Sequence, residues 1–499
     1  MLFEEIFVEK ADLQKFYMFR ILMTAGNTAL TINDLSLRMN VSYQQSYNIF
    51  QELVTDMQDL TGLTSRAAKK QLSTQADFPI SIDEYRLFLL KQAIQFEFVD
   101  YLVQATNPSV DKFCQEHFIS RSTLLRKTTG VRDLLARYQV KLSLTQTGFI
   151  GDEKQIRLFI YTFYWMSYHG LAWPFKSPAL SVVHKQYLDL PNAREDQIAI
   201  LQDMLFWGIC RLRISHGFVL QRFHRFDEVL GRFPEAHQYL YSRALFPGLS
   251  PAQLRAESEF FIFYQLRDMD FNDHGHLDRQ LYTYFTTDDN VVTDYLLRLS
   301  NFAKPFLRQP ASSLTKNAIL ATNIARVVMN YYLLEGEHIK LIDFFNFTRP
   351  EYEQTRLLDF LNDFVETLPQ TGAYASLYPV RHEMVHIMYY LLIPYLRVFK
   401  WNELVQVKLL NGANGLANTD MILFLKDMND VEILDDNADP ADADLIIAAV
   451  DDPEELLRNN PELHHPHILY WHLDPTETDF YQLYITIKHI FLDKLMPEV

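Results

Sequence analysis

Two histidines and a glutamate in the last third of the chain have the spacing of a zinc-peptidase site. In His382-Glu-Met-Val-His386 the imidazoles lie four residues apart, so on a helix they share one face and could bind one Zn²⁺, with Glu383 as general base. The metzincin continuation is missing, because Tyr389 stands where glycine is needed, and Glu403 is the one nearby downstream carboxylate that could complete the site. The flanking residues have the apolar pattern of a bundle core. A zinc metallopeptidase is therefore an alternative interpretation.

Another group of polar residues has a spacing suited to reading DNA. Between Leu30 and Val54, Thr31 caps a first predicted helix, Asn40-Val-Ser forms a turn around a buried valine, and Ser42 caps a second helix. This pattern predicts a helix-turn-helix. The apolar face of the second helix carries Tyr47, Phe50, Leu53 and Val54. Gln and Asn can pair with adenine and Ser or Tyr can hold phosphates, so the predicted DNA-binding residues are Ser42, Tyr43, Gln44, Gln45 and Asn48.

The pattern recurs further along the chain with more basic residues. Val110, Phe113, Cys114 and His117 precede the turn Phe118-Ile-Ser, and the next helix has Leu124 and Leu125 on its apolar side. Its predicted DNA-binding residues are Ser120, Arg121, Ser122, Thr123, Arg126 and Lys127. The stretch Val140-Lys-Leu-Ser-Leu, a turn and Gly148-Phe-Ile-Gly predict a hairpin wing, followed by a helix over Lys154–Trp165. Phosphate contacts are predicted from Arg121, Arg126, Lys127 and, in the wing, Lys141.

The charge distribution favours DNA binding by the N-terminal third of an acidic chain. The net charge is −17, but residues 1–160 carry 18 basic and 18 acidic residues, so the remainder holds the whole acidic excess. The segment Ser109–Arg157 carries nine basic and five acidic residues. Because affinity for DNA depends on the field at the contacting face, a modestly basic module on an acidic body can bind it.

The rest of the chain predicts helical domains followed by a small α/β domain with a largely parallel sheet. Predicted helices include Asp196–Ile214, Ala256–Met269, Asn317–Leu334, Pro379–Phe399, Thr419–Met428 and Thr476–Leu495, and predicted strands are 405–410, 431–434, 444–449 and 467–471. The fold class is therefore mainly α and multidomain. The predicted domains are a helix-turn-helix domain at 1–75, a winged helix-turn-helix domain at 76–170, helical domains at 171–290 and 291–400, and an α/β domain at 401–499.

Several functional classes lack their sequence signals. Cys114 and Cys210 have no metal or redox spacing, and no glycine-rich phosphate loop or nucleophile elbow is present. We therefore predict no catalytic residues, no metal and no cofactor. The acidic N-terminus is unlike a secretory signal, and the longest apolar stretch, Met384–Leu396, is too short to span a bilayer, so we expect a cytoplasmic protein without a membrane partner.

Two motifs in the second unit carry a resemblance to a known family. The motifs are Phe113-Cys-Gln-Glu-His-Phe-Ile-Ser-Arg-Ser-Thr-Leu-Leu-Arg-Lys and Gly148-Phe-Ile-Gly-Asp-Glu-Lys-Gln-Ile-Arg. With the order of the domains, they resemble the Mga/AtxA-type virulence regulators of Gram-positive bacteria. The resemblance implies two helical domains like the phosphotransferase-system regulation domains, abbreviated PRD, and a C-terminal domain like the EIIB component of sugar transporters.

The same resemblance implies a homodimeric regulator of double-stranded promoter DNA, most often an activator, that is tuned by phosphorylation of histidines by phosphotransferase-system phosphocarriers. The predicted sites are His216, His338, His382 and His386. The stretch Leu205-Phe-Trp-Gly-Ile lacks the histidine of related antiterminators, and Leu410-Asn-Gly-Ala-Asn-Gly lacks a cysteine for a phosphoryl group. The EIIB-like domain is therefore expected to be structural or dimerising. A protein-interaction scaffold that does not bind DNA is the second alternative.

Overall fold

The computed structural model describes residues 3–25, 30–74, 79–190, 192–194, 196–267, 276–308, 314, 317–344, 355–400, 404–410, 416, 418–428, 430–449, 458 and 467–495. This part of the chain is mainly helical, as predicted. It divides into two compact units, the first comprising Met1–Asp268 with Asn330–Phe347 and the second Met269–Met329 with Thr348–Val499. None of its helices is long and apolar enough to cross a membrane.

The first unit opens with short helices and one hairpin. The helices are α1 Phe3–Phe7, α2 Lys10–Thr24, α3 Ile32–Met39, α4 Tyr43–Thr61, α5 Ser65–Thr74, α6 Ile82–Gln92, α7 Ile94–Gln104, α8 Val110–Glu116, α9 Arg121–Lys127 and α10 Thr129–Arg137. The hairpin strands are β1 Lys141–Ser143 and β2 Gly148–Ile150. Longer helices follow, α11 Glu153–Tyr168, α12 Leu180–Leu188, α13 Gln197–Ser215, α14 His224–Leu230 and α15 Pro251–Leu266, with 3₁₀ turns at Pro234–Tyr239 and Leu341–Phe344.

Helices α2 to α6 share one apolar core, which holds the first helix-turn-helix in place. Leu53 of α4 is fully buried and lies in a cluster with Phe19 of α2 and Leu35 of α3. The predicted apolar face of α4 is wrong at one position, because Tyr47 is 42% exposed. The turn residue Val41 is half-buried rather than buried. Both positions lie at the edge of the core, where a helical period alone does not show how far the neighbouring helices extend.

Helix α11 follows the wing and is buried along nearly its whole length. It contains Arg157, which is completely buried and bound on two sides by carboxylates. The Nη2 atom lies 2.9 Å from Glu257 Oε1, and Nε lies 3.0 Å from Glu153 Oε1. Arg213 of α13 pairs with the same Glu153 at 2.7 Å. Two guanidinium groups and two carboxylates thus neutralise each other inside the first unit, which satisfies charges that burial would otherwise penalise.

The second unit contains a helical part and a C-terminal sheet. Its helices are α16 His276–Thr287, α17 Val291–Ala303, α18 Ala318–Leu333, whose last turn belongs to the first unit, α19 Thr355–Glu366, α20 Arg381–Leu392, α21 Thr419–Asp427 and α22 Glu477–Leu495. It also has 3₁₀ turns at Lys304–Phe306, Gly372–Tyr374, Tyr378–Val380, Ile393–Val398 and Pro440–Asp442. The predicted single helix over Pro379–Phe399 is wrong at both ends. Pro394 has no N–H to donate, and the chain continues past Leu392 as a 3₁₀ turn.

The C-terminal sheet is parallel, as the alternation of strands and helices predicts. Its strands are β3 Val405–Leu410, β4 Val431–Ile433, β5 Leu445–Ala448 and β6 Ile468–Tyr470, in the order β4-β3-β5-β6. All three pairings are parallel, with Val405 opposite Val431 and Val407 opposite Leu445. Helices α21 and α22 bury Leu425 and Ile487 against the same core as the central strands. The predicted glycine-containing loop after β3 lies outside the described residues at 411–415.

The division into five domains stays a prediction. Contacts separate two units, and the segment Asn330–Phe347 packs with the first of them, so the predicted helical domain at 291–400 contributes to both units. In the first unit, the predicted winged domain forms one compact body with residues 171–268 of the predicted helical domain at 171–290, and the rest of that predicted domain belongs to the second unit.

Candidate nucleic-acid interface

The two helix-turn-helix units have turns with the same backbone geometry. Asn40 has a φ of 53° and Phe118 has a φ of 53°, both in the left-handed region. In the first turn the Asn40 N–H donates to Leu37 O at 3.2 Å and the Val41 N–H donates to Ser36 O at 3.0 Å. In the second turn the equivalent pairs are Phe118 with Gln115 at 3.3 Å and Ile119 with Cys114 at 3.0 Å. The repeat predicted from the sequence therefore extends to individual hydrogen bonds.

A serine starts the second helix of each unit. Ser42 Oγ accepts from the Gln45 N–H at 3.2 Å, and Ser120 Oγ accepts from the Thr123 N–H at 3.0 Å. Such a cap satisfies a free N–H of the first helical turn and fixes the direction in which the helix leaves the turn. Both serines are exposed, so their predicted role in DNA binding is added to a structural one.

The polar residues of α4 form an exposed surface. Tyr43 is 57% exposed, and Gln44, Gln45 and Asn48 are exposed as well. Gln44 Nε2 donates to Asn48 Oδ1 at 3.1 Å, and Gln45 Nε2 lies 3.5 Å from Gln14 Oε1. The Gln44–Asn48 bond holds one amide in place, which leaves the other polar groups of both side chains available for base edges.

Helix α9 offers hydroxyls at its start and cations along its length. Ser122 Oγ and Thr123 Oγ1 lie 2.7 Å and 2.9 Å from Ser120 Oγ. Arg121 forms a bidentate ion pair with Asp111 of α8, in which Nε and Nη2 donate to the two carboxylate oxygens at 2.6 Å and 2.7 Å. This pairing holds the pKa of Arg121 above its usual value. Lys127 pairs with Glu9. Two of the predicted phosphate contacts are therefore already held by carboxylates.

Arg126 and Lys141 are the predicted phosphate contacts without such a partner. Both are exposed, and neither has a carboxylate within ion-pair distance among the described residues. Lys141 lies in the wing, where it is opposite Ile150 in the β1–β2 pairing. The glycine that follows the wing is required by space, because a Cβ on Gly151 would lie 2.9 Å from Gln139 O. The wing therefore carries an exposed cation in the same compact unit as the capped helix α9.

The turn of the second helix-turn-helix contains Phe118, an apolar residue to which the sequence pattern assigns no role. Phe118 is 95% exposed, although it is apolar and adopts a backbone conformation that costs a side chain energy. Leu125, predicted on the apolar side of α9, is 44% exposed, whereas its neighbour Leu124 is buried. The exposure of Phe118 has a signal in the sequence, because an aromatic residue occupies a turn position that favours glycine or asparagine.

Two of the histidines predicted to be phosphorylated lie in the first unit. His216 caps the C-terminal end of α13 and is half-buried, and burial together with Arg213 lowers its pKa. His338 is buried against the ring of Tyr331, and burial, followed by two nearby cations, lowers its pKa well below the ordinary value. Phosphoryl transfer to His338 would require its surroundings to open, whereas His216 is partly accessible.

The other two histidines belong to the zinc-peptidase pattern on α20. Both are exposed, and His382 Nε2 lies 2.9 Å from Glu366 Oε1 while His386 contacts the ring of Tyr390. Within the described residues no group of three or more His, Cys, Asp or Glu side chains is arranged to hold a metal ion. Glu403 lies outside those residues.

Comparison with known proteins shows a matching family domain and a similar protein. Residues 79–164, from just before α6 into α11, match the Mga helix-turn-helix domain. A protein of Streptococcus pneumoniae serotype 4 described as a trans-acting regulator is 25% identical over 189 residues, which cover 32% of this chain and 38% of that protein. The chain therefore matches well under half of the relative's length. The matched domain contains the second helix-turn-helix, its wing and both motifs of the predicted resemblance.

Proposed function

We propose that the protein is a transcription regulator that binds double-stranded promoter DNA. The match of residues 79–164 to the Mga helix-turn-helix domain supports this proposal. The single observation that supports it most is the geometry of α9. A serine-capped, exposed helix follows a hydrogen-bonded turn, and a wing with an exposed lysine lies in the same domain. This is the arrangement in which a winged helix-turn-helix places one helix in the major groove and its wing against the backbone.

The distribution of charge determines how such a protein would bind. Arg126 and Lys141 supply cations that need not leave a carboxylate, while Arg121 must leave Asp111 to contact a phosphate. The acidic remainder of the chain repels DNA, so binding is confined to the N-terminal face and non-specific coating is disfavoured. The exposed amides of α4 make the first helix-turn-helix a second element that reads bases.

The test is binding of labelled promoter fragments, measured by fluorescence anisotropy at several salt concentrations with random genomic DNA as competitor. The double variant Arg126→Ala/Lys141→Ala removes two phosphate contacts, so the dependence of log affinity on log salt should flatten by about 1.8 units of slope. The matched control Lys185→Ala/Arg243→Ala removes the same charge from exposed positions elsewhere in the first unit. Equal affinities and slopes for the two double variants would refute α9 and the wing as the DNA-binding face. Absence of binding by the unaltered protein would favour the interaction scaffold.

The finer regulation is proposed on the resemblance. PRD-like helical domains tune the activity, phosphocarrier proteins of the phosphotransferase system modify histidines, and the EIIB-like C-terminal region joins two copies. The exposure of His382 and His386 and the partial exposure of His216 support these three as acceptors before His338. A phosphoryl group adds charge and strong acceptors, which biases how helices dock. Measuring oligomeric state and DNA affinity together, with and without a phosphocarrier and for His→Ala variants, separates modification from dimerisation.

A further inference from the structure

A cavity lies between the second helix-turn-helix and the helices that follow it. Its volume is about 790 Å³, and it is entirely within the first unit. Helices α7 and α8 form one wall, and the C-terminal end of α13 with residues 176–177 forms another. We call it the α7–α13 cavity. A volume of this size is in the range of roughly 300–1,000 Å³ that small-molecule sites occupy.

The acidic side chains of the cavity are already engaged by the protein. Asp100 accepts hydrogen bonds from Tyr164 Oη at 2.7 Å and from Gln104 Nε2 at 2.7 Å. Glu97 pairs with His117 Nδ1 at 3.2 Å. Burial raises the pKa of both carboxyl groups, and their partners oppose that shift. Both carboxylates keep their negative charge when ionised, and Asp100 is near enough to Lys176 and Lys91 for these cations to oppose the rise in its pKa.

The cationic and donor groups are less engaged. Lys91 is exposed with Nζ 4.9 Å from the centroid of the Tyr168 ring, and Lys176 is exposed. Neither ammonium group has a carboxylate within 4.0 Å in the part of the chain that the structure describes. His216 lines the same cavity, and its imidazole has no hydrogen-bond partner there. Three donors therefore line one cavity, and the two carboxylates beside them each have a hydrogen-bond or ion-pair partner from the protein.

The remaining wall is aromatic. Phe96 and Phe113 are buried, and the Tyr101 ring lies 5.3 Å from Phe113 between centroids. Phe113 also stacks on His117, at 4.1 Å between ring centroids. Sites for small molecules combine a mostly apolar lining with a few converging polar groups that fix one end of the ligand.

We propose that the α7–α13 cavity binds a small organic anion. Its phosphate or carboxylate pairs with Lys91, Lys176 and His216, and its ring or hydrocarbon body lies against Tyr101 and Phe113. Such a ligand contacts α8, the first helix of the second helix-turn-helix, and α13 at once. The site goes beyond the proposed function and is tested without DNA, so either proposal can fail alone.

The experiment uses the full chain and two simple probes that join an anionic head to one ring, phenyl phosphate and benzoate. Binding is followed by saturation-transfer difference NMR and isothermal titration calorimetry, with benzyl alcohol as the neutral counterpart. The double variant Lys91→Ala/Lys176→Ala should weaken anion binding about tenfold or more, because each substitution removes a charge-assisted hydrogen bond to the anion. The control Lys185→Ala/Arg243→Ala should bind as the unaltered protein does. Binding of one probe alone identifies the head group and supports the proposal.

Three results overturn it. They are no binding of either anion up to the solubility of the probe, benzyl alcohol binding as tightly as the anions, and equal weakening by both double variants. A third variant, Thr106→Trp, fills the cavity from an exposed lining position while leaving every cation in place. It should abolish binding, and retention of full affinity would place the anion elsewhere on the surface.

Discussion

Replacing Glu257 by glutamine should sharply destabilise the first unit. Its carboxylate receives both Nη groups of Arg157 and the N–H of Leu220, the last at 2.9 Å. Glutamine offers one acceptor in place of two and turns an amide donor toward the guanidinium. Arg157 is completely buried; burial lowers its pKa, but Glu257 and Glu153 outweigh that effect and hold the pKa well above its ordinary value. In the variant, Glu153 is the one charged partner that Arg157 keeps among the described residues.

The expected loss is about 3–5 kcal/mol, the cost of breaking a buried ion pair on one side. That is a large part of the roughly 5–15 kcal/mol that stabilises a typical domain. Urea unfolding reports the loss, and hydrogen exchange of peptides from α11 and α15 shows that it arises in the first unit. The matched control is Glu228→Gln, the same chemical change at a carboxylate that is 61% exposed, where the loss should stay within about 0.5 kcal/mol.

A double variant separates the pair from its surroundings. Arg157→Met/Glu257→Leu removes both buried charges and leaves Glu153 with Arg213, so it should recover much of the stability lost in Glu257→Gln. If Glu257→Gln and Glu228→Gln unfold at the same urea concentration, the buried network does not stabilise this unit and the reasoning fails.

Three further predictions follow from the interface and the core. Asp111→Asn releases Arg121 and should raise affinity for DNA by up to about fivefold, whereas Asp133→Asn, exposed on α10, removes the same charge without this gain; equal changes in anisotropy titrations would contradict the mechanism. Phe118→Gly relieves a left-handed backbone while losing almost no buried surface, so thermal unfolding should show a gain of about 0.5–1 kcal/mol, and a loss would mean that Phe118 packs in solution. Burial raises the pKa of Glu259 from 4.5 to about 7, so folding favours the protonated carboxyl group, and the contribution of Glu259 to the free energy of unfolding should fall as pH rises from about 4.5 to 7. Glu259→Gln should flatten the dependence of stability on pH in this range, and an unchanged dependence would exclude Glu259 as its origin.

The sequence predicts the elements that depend on local rules. Serine caps, the apolar periods of α3 and α4, and the strand–helix alternation after residue 404 each depend on residues a few positions apart. The helix bounds therefore agree with the structure to within a few residues at α11, α13 and α18. The end of α20 at Leu392 also depends on a local rule, because Pro394 cannot continue the helical hydrogen bonds. The apolar residues on both sides of Pro394 nevertheless predict a longer helix.

The parts that could not be predicted depend on contacts between distant residues. Arg157 and Glu257 are 100 positions apart, and charged residues in helices are expected at the surface until both partners are known to meet. Arg121 and Asp111 are only ten positions apart, but their pairing depends on how α8 and α9 pack across the turn, and it determines which cations of α9 already have a carboxylate partner. Packing of Asn330–Phe347 with the first unit likewise depends on tertiary contacts that no period of the sequence encodes.

The matching turns place the capped helices α4 and α9 in the same register relative to their turns. The interval from Asn40 to Phe118 is 78 positions, and the same interval joins Ser42 to Ser120. Positions 43–49 of α4 therefore correspond one by one to positions 121–127 of α9. A chimera that carries the exposed polar residues of α4 at the corresponding positions of α9 would show which helix determines the preferred DNA sequence.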